Sequence, residues 1–578
     1  MAVTHTYETI VHQVDLCVVG GGMAGLITAV TAARRGAKVL ILQDRPVFGG
    51  NASSEIRMWI CGARGADNKE TGLLEEILLA NYFRNPTLKY ALWDSVLYET
   101  ARFQPSLEML LNCACTSVTT EGETITAVTG WQLTTQQWHE VRAAYYADCS
   151  GDSVLRICGA EYRRGREARA EYNESLAPEQ ADERTMGNTI LIQSRETGAP
   201  HRAFVRPEWA HAYQEGDLPN RYLTPTGQNF WWLEVGGMGD TIAQAEELRD
   251  ELLKIGFGVW DLIKNHPDGR ARGWELEWIG ALPGKRENVR YIGDHVLTQN
   301  DVLAEGRFDD LVAYGGWTMD DHPPQGLYYR GEPTVFHATP SPYGIPYRGL
   351  YSRNIANLFF AGRNISATHM AMSSTRVMAT CALCGQAVGT AAALAVRYAC
   401  SPRAVGEHHL AELQENLMDD DAYLPWHSRA VPELTRLARL EAETGEAEAL
   451  RSGVDRILGA ADNGWWAAAG QSAGYRFEGP RRLSQARFTF DSDLAQVKRM
   501  PCWYPLEGNQ VEMPAPLARD FDLEVLDGAG VWRTAAQVRD NAKRLVRLPL
   551  ELEAAGARLK ILRAWGGERA HVMAFDVR

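Results

Sequence analysis

The stretch V-V-G-G-G-M-A-G-L at residues 18–26 constrains this chain more than any other, because Gly20, Gly22 and Gly25 fit G-x-G-x-x-G. That pattern has a mechanism only between a buried strand and a helix. Residues 14–19 are an apolar run of strand length. Residues 23–35 are alanine-rich, carry leucine and isoleucine at helical spacing and stop at Gly36, and residues 38–42 read as a second strand. In such a βαβ unit Gly20 permits the turn, Gly22 lets the backbone approach a diphosphate, and Gly25 lets helix and strand pack closely, with the phosphates facing the positive helix N-terminus. The carboxylate expected to accept from the ribose at the end of the second strand is replaced by Gln43, followed by Asp44. A carboxamide oxygen accepts from a hydroxyl but carries no charge to repel a 2′-phosphate, so the identity of the dinucleotide stays open at this point.

The length of 578 residues leaves room for two to four domains. Hydrophobic residues at 45% and charged residues at 23% are ordinary for a globular protein. A formal net charge of −14 argues against a phosphate-backbone-binding surface, so no nucleic-acid partner is expected. No run of eighteen apolar residues and no leader signal is read, so the expectation is a cytoplasmic protein with no membrane span. Ten cysteines in so long a chain do not suggest a disulfide scaffold. Cys381-Ala-Leu-Cys384 has redox-motif spacing, but small buried side chains in a helix account for it better. Neither that pair nor Cys113-Ala-Cys115 repeats the spacing of metal ligands, so no metal site is expected.

The segment R-P-V-F-G-G-N-A-S-S-E-I-R at residues 45–57 resembles the FAD-dependent oxidoreductases of the glutathione-reductase-like superfamily, near the fumarate reductase flavoproteins and the flavin part of the heterodisulfide reductases. The resemblance recurs at Asp148-Cys-Ser-Gly151-Asp152, Gly284-Lys-Arg286-Glu287, Val289-Arg290-Tyr-Ile-Gly293-Asp294 and Pro342-Tyr-Gly-Ile-Pro346-Tyr-Arg348. It is most specific at Gly362-Arg363-Asn364-Ile-Ser366, continued by Ser373-Ser-Thr-Arg376-Val377-Met and Gly385-Gln-Ala-Val-Gly389, and it runs from about residue 14 to about residue 398. It implies FAD as the cofactor. The implied contacts are Gly20, Gly22, Gly25, Gln43, Asp44, Arg45, Gly49, Gly50, Asn51, Ser53, Asp148, Gly151, Asp152, Gly362, Arg363, Ser374, Arg376 and Val377. It also implies a helix whose N-terminus points at the flavin pyrimidine ring. Free N–H groups there would stabilise the negative charge of a reduced isoalloxazine, and Ser373, Ser374 and Thr375 would cap a helix starting near them.

The fold class that follows is α/β. Residues 1–160 and 350–400 form a Rossmann-like FAD-binding domain, with a small antiparallel meander before the returning strand. An inserted α+β substrate or cap domain spans 161–349, a helical segment 401–470, and an all-β sandwich 471–578. The sandwich is read from short strands at 486–490, 522–526, 545–548 and 559–562, and loosely resembles the galactose-binding-like modules of carbohydrate-active proteins. Every cofactor motif lies before residue 400. The insert is rich in aromatic rings that could stack on sugars or form core. A histidine facing the flavin could take a hydroxyl proton as hydride leaves the same carbon, and its ordinary pKa suits that task. His369 is the leading candidate, with His322 and Asp321 in support, and Arg286, His337 and Trp317 as substrate contacts.

The expected activity is removal of hydride from a hydroxyl-bearing carbon of a small molecule, a sugar or glycoside by preference. Three alternatives stand beside it. They are reduction of an activated double bond in a carboxylic acid clamped by arginines, glycoside cleavage with flavin as a transient oxidant, and a non-catalytic carbohydrate-binding scaffold. Oligomerisation is left open.

Overall fold

Strand β1 (Thr9–Val19), helix α1 (Met23–Arg34) and strand β2 (Val39–Leu42) form the expected βαβ unit in the computed structural model, which describes residues 6–578. Strands β3 (Leu107–Leu110), β4 (Cys113–Glu121), β5 (Thr124–Gln132) and β6 (Gln137–Asp148) follow. The sheet order is β3-β2-β1-β6, with all neighbours parallel. The far edge of β6 is shared: its first half pairs antiparallel with β5, and its last three residues pair parallel with β7 (Leu358–Phe360). The β4–β5 hairpin is therefore the expected meander. The carboxyl ends of β1, β2, β6 and β7 all lie at one edge of the sheet, where open α/β sheets place their ligands. Their following loops carry Gly20–Gly25, Gln43–Ser53, Gly151–Asp152 and Gly362–Arg363.

Two helices return from that edge. Helix α2 (His369–Thr375) is followed directly by α3 (Met378–Tyr398), which packs on α1. The approach is close enough to require glycine. A Cβ at Gly385 would meet Ala24 O at 2.4 Å, and one at Gly389 would meet Thr28 O at 2.5 Å. The Thr28 hydroxyl donates to Gly385 O at 3.0 Å across the same contact. Helix α3 is long and apolar enough to meet the length and composition test for a membrane span. Of its tested window of residues, 94% are buried inside the protein, as a core helix requires.

The described residues divide into two compact units, and the division is not collinear with the chain. The first comprises residues up to Ala63, Thr87–Leu413 and Arg499–Gln510; the second comprises Arg64–Pro86, Gln414–Lys498 and Val511–Arg578. In the first unit, the chain between β6 and β7 builds short antiparallel pairs around helix Ala245–Lys264. Trp232 and Trp260 are core there, packed with Ile190, Ile192, Phe230, Leu252 and Val259, whereas Trp209, Tyr328, Tyr329 and Phe336 are exposed. The segment Arg499–Gln510 pairs with this region: Tyr504 N–H donates to Ser194 O at 2.9 Å and Glu196 N–H to Tyr504 O at 2.8 Å.

The second unit holds an all-β sheet of seven strands, with an apolar core that includes Trp465, Tyr475, Phe488, Phe521 and Phe575, together with helices such as Leu73–Arg84. Two readings are corrected in it. The strands expected at 545–548 and 559–562 are the two ends of one twenty-residue strand, Leu545–Ala564, whose partner Ser472–Phe490 shifts register along the ladder. Local irregularities let one long strand bend where a sequence with Pro549 suggests two. Within the helical segment expected at 401–470 the α-helices end at Leu437. Residues Arg439–Ala442 instead form an edge strand on Ser472–Phe490, because Leu440 packs on the sheet core and Thr444-Gly445 turns the chain.

Candidate functional site

The three motif glycines each carry a distinct constraint. Gly20 has φ +101°, and a Cβ there would meet Ser150 Cα at 2.5 Å; one at Gly25 would meet Gly20 O at 1.8 Å. Gly22 is different. It sits at the start of α1 in an ordinary extended conformation, and the nearest atom to an added Cβ is Gly50 Cα at 4.0 Å. The protein leaves space over Gly22, which is what a diphosphate approaching the N-terminus of α1 needs. Gly49 and Gly50 lie against this loop, with Gly49 N–H donating to Gly21 O at 2.8 Å. Asn51 follows in the same turn, and the Ser53 hydroxyl accepts from Glu55 N–H at 3.3 Å.

Gln43, at the end of β2, turns its carboxamide toward the glycine loop. Its oxygen accepts from Gly21 N–H at 2.7 Å, its amide donates to Val47 O, and it is only 2% exposed, so it braces the glycine loop. Asp44 beside it is exposed, and Arg45 lies between Asp44 and Glu55. Asp148 is wholly buried and accepts from Ser150, Leu155 N–H and the Tyr291 hydroxyl, which hold the turn after β6. Asp152, one turn on, accepts from Arg363 at 2.6 Å and Lys285 at 2.5 Å. Burial would push the Asp152 carboxyl up, but Arg363 and Lys285 more than reverse this and hold it below its usual range. The Arg363 guanidinium lies on Gly151, where a Cβ would come within 2.8 Å of its central carbon. Gly362 has φ +122°, which lets β7 turn toward α2.

The helix cap also falls elsewhere than expected. Ser373, Ser374 and Thr375 end α2; α3 begins after Val377, with no side-chain cap of its own. Thr368 caps α2 instead, accepting from Ala371 N–H. The Ser374 hydroxyl donates to Trp317 O at 2.5 Å, and Arg376 reaches Asp320 at 3.1 Å. Buried donors with no hydrogen-bond partner collect around this edge: Arg45 Nη1, Arg363 Nε and Arg376 Nε. Open space over Gly22, the buried Nε donors of Arg363 and Arg376 without a hydrogen-bond partner and an α3 N-terminus without a side-chain cap, though its Ala379 N–H donates to Cys61 O, suit an anionic dinucleotide.

Two histidine clusters sit beside the α2–α3 junction. His369, the first residue of α2, places Nδ1 3.0 Å from Glu287 and Nε2 3.1 Å from Asp321. Arg290 bonds both Glu287 and Glu167, and Glu167 accepts the His369 backbone N–H. Burial alone would lower the imidazole, but Glu287 and Asp321 lift it to about 10. That raised proton affinity sets His369 apart from a base of ordinary pKa, and both of its nitrogens are engaged by carboxylates. In the second cluster His322 places Nδ1 2.6 Å from Glu234 and Nε2 3.4 Å from Asp320, with Trp231 edge-on to its ring. Burial opposes its protonation, Glu234 favours it, and the net effect raises its pKa. Arg286 reaches Glu234 at 3.3 Å and Trp231 O at 2.7 Å, so it holds the cluster together. His337 stands opposite Met319 on the paired strand, one residue from Asp320. Glu234 and Glu167 lie outside every motif, with no spacing in the sequence to mark them. Glu287 and Lys285 stand inside a quoted motif without a role assigned from it.

A glycine cradle at the carboxyl edge of a parallel sheet, joined to a helix without a side-chain cap and a buried acid–base cluster, defines a dinucleotide-dependent oxidoreductase. Residues 15–417, more than half the chain, match the family described as FAD dependent oxidoreductase, and the chain belongs to that family. It is an FAD-dependent oxidoreductase, with FAD as its cofactor. No curated protein matches it. Among solved structures, a geranylgeranyl bacteriochlorophyll reductase-like protein from Thermoplasma acidophilum is similar over 71% of this chain and 87% of its own, at 13% identity and a TM-score of 0.33. The family 32 carbohydrate-binding module of Streptococcus pneumoniae EndoD is similar over 25% of this chain and 97% of its own, at 16% identity and a TM-score of 0.20. That of Clostridium perfringens NanJ, solved with galactose, is similar over 24% and 90%, at 12% identity and a TM-score of 0.17. At such scores, function has to be argued from this chain's own geometry.

Proposed function

We propose that this enzyme oxidises a hydroxyl-bearing carbon of a small polar molecule, a sugar or glycoside, and that His322 accepts the hydroxyl proton. The asymmetry at His322 carries the reading. Glu234 holds Nδ1 tightly at 2.6 Å, fixing ring and tautomer, while Nε2 keeps only a loose 3.4 Å contact to Asp320, beside Arg376 and the start of α3. When bound, FAD supplies the hydride acceptor. His369, clamped between Glu287 and Asp321, orients Asp321 rather than taking the proton. Phe336 lies opposite Asp320 on the paired strand, and Phe336, Tyr328 and Tyr329 are exposed nearby, which supports stacking on a sugar ring.

A second reading rests on the same residues. Arg286 and Arg376 flank His322, whose raised pKa suits proton donation, and together they would serve a carboxylic acid whose double bond is reduced. Anaerobic mixing of the FAD-loaded enzyme with polyols, aldoses, glycosides and unsaturated acids separates the two. Bleaching of the flavin band by a hydroxyl compound, slowed about a hundredfold or more in His322→Ala, supports oxidation. No bleaching by any hydroxyl compound, with reoxidation of the reduced enzyme by an unsaturated acid, overturns it in favour of the second.

A further inference from the structure

Three consecutive residues of the strand Gly284–Lys285 and its continuation make three different attachments. Lys285 turns toward the cofactor edge: its ammonium lies 2.5 Å from Asp152, and its carbonyl accepts from Asn51, in the turn that follows Gly49–Gly50, at 3.0 Å. Arg286 turns toward Glu234 and the His322 cluster, and Glu287 toward His369. The segment is pinned at its start, since a Cβ at Gly284 would meet Ile56 at 3.0 Å, and its pairing sets Lys285 opposite Asn188.

Around Asp152 two cations face one carboxylate. Lys285, Asp152 and Arg363 keep side-chain exposures of 24%, 21% and 17%, so the group is partly open, and Arg363 Nε is a buried donor without a hydrogen-bond partner. An excess positive charge on a partly open edge beside the Gly49–Asn51 turn attracts an anion, and at close range such a charge is screened only partly by salt.

We propose that Lys285 is a cofactor-positioning residue: with Arg363 it presents positive charge to the diphosphate of the dinucleotide, and through Arg286 and Glu287 it couples cofactor loading to the placement of both histidine clusters. The first half rests on the cofactor the family uses. The second also rests on the histidine site proposed above, and the two halves are read separately.

The test uses full-length protein stripped of FAD, as parent, Lys285→Met and Lys285→Arg, titrated with FAD by fluorescence at low and high salt. Hydrogen exchange of peptides spanning residues 284–291, 318–323 and 367–371 is followed with and without FAD. Lys285→Met is expected to weaken FAD at least tenfold and flatten its salt dependence, with Lys285→Arg restoring most of both. FAD is expected to protect the 318–323 and 367–371 peptides in the parent, and to protect them less in Lys285→Met at equal occupancy. Equal affinity at both salts in Lys285→Met overturns the cofactor contact. Weakened affinity with unchanged protection overturns the coupling alone, and neither outcome depends on which substrate is oxidised. If Lys285→Met does not fold, Lys285→Arg decides with the parent: a salt-independent FAD affinity in both overturns the proposal.

Discussion

Replacing Gly22 by alanine tests whether the space over the glycine loop is where the diphosphate lies. The added methyl meets no protein atom closer than 4.0 Å, and the residue keeps an extended conformation open to any L side chain. Two small effects on the fold oppose each other. Alanine is a poorer N-cap than glycine, by up to about 1 kcal/mol. It also restricts the unfolded chain, which stabilises by about 0.4–1 kcal/mol. The net change is within about 1 kcal/mol, a shift of at most about 2–4 °C in Tm. The cofactor feels something else. A methyl where a diphosphate approaches the N-terminus of α1 pushes it away from backbone N–H groups, and each charge-assisted hydrogen bond lost there costs about 1.5–3 kcal/mol. One or two such losses weaken FAD by about tenfold to about twenty-thousandfold. The assay is a thermal melt of the FAD-free protein together with an FAD titration. An unchanged Tm with FAD affinity within about threefold of the parent would refute the reasoning, since the methyl would then occupy no cofactor space. Gly25→Ala is the contrast: its Cβ would sit 1.8 Å from Gly20 O, so the fold itself is expected to fail.

Three other outcomes are expected. The proton on His369 is held to about 10 against an ordinary value near 6.5, so its stabilisation is complete below about pH 6.5 and is lost as pH rises toward 10. Denaturant melts should show His369→Gln destabilised by about 3–5 kcal/mol at pH 6, because Glu287 and Asp321 lose their counter-charge, with the gap to the parent narrowing toward pH 10; a gap independent of pH would refute the ionic account. Oxidation of a hydroxyl substrate should accelerate with pH through an apparent pKa above 6.5 that belongs to the His322–Asp320–Glu234 cluster, and a rate–pH profile with no such limb counts against His322 as base. Truncation before Gln471 removes Arg499–Gln510 and leaves the buried Gln193 amide without Pro501 O, and the Ser194 carbonyl and Glu196 N–H without Tyr504. At about 1–3 kcal/mol for each group left unsatisfied, soluble yield and Tm should fall; a truncated protein that keeps the parent Tm and its FAD would show that segment to be dispensable.

The βαβ unit and the β4–β5 meander are legible in the sequence because each is local or marked by glycine. Gly20 and Gly25 are readable for that reason: a positive φ or a backbone in the way of a Cβ admits only one residue type. The same holds for the run from Gly362 to Val377, except for its caps. Serine and threonine cap a helix or close the last turn of another equally well by composition, and only the break at Arg376–Val377 distinguishes the two.

What the tertiary structure alone decided is the electrostatics. Nothing near His369 or His322 in sequence reveals that Glu287, 82 residues away, and Glu234, 88 residues away, supply their counter-charges, yet those contacts set which imidazole is clamped at both nitrogens and which keeps a nitrogen loosely held. A strand's turn chemistry is written in neighbouring residues, whereas a buried group's proton affinity depends on every charge that the fold brings within a few ångströms. Gln43 shows the same limit from the other side: its position at the end of β2 is readable, and the direction of its carboxamide, toward Gly21 N–H, is settled only by the packing that buries it.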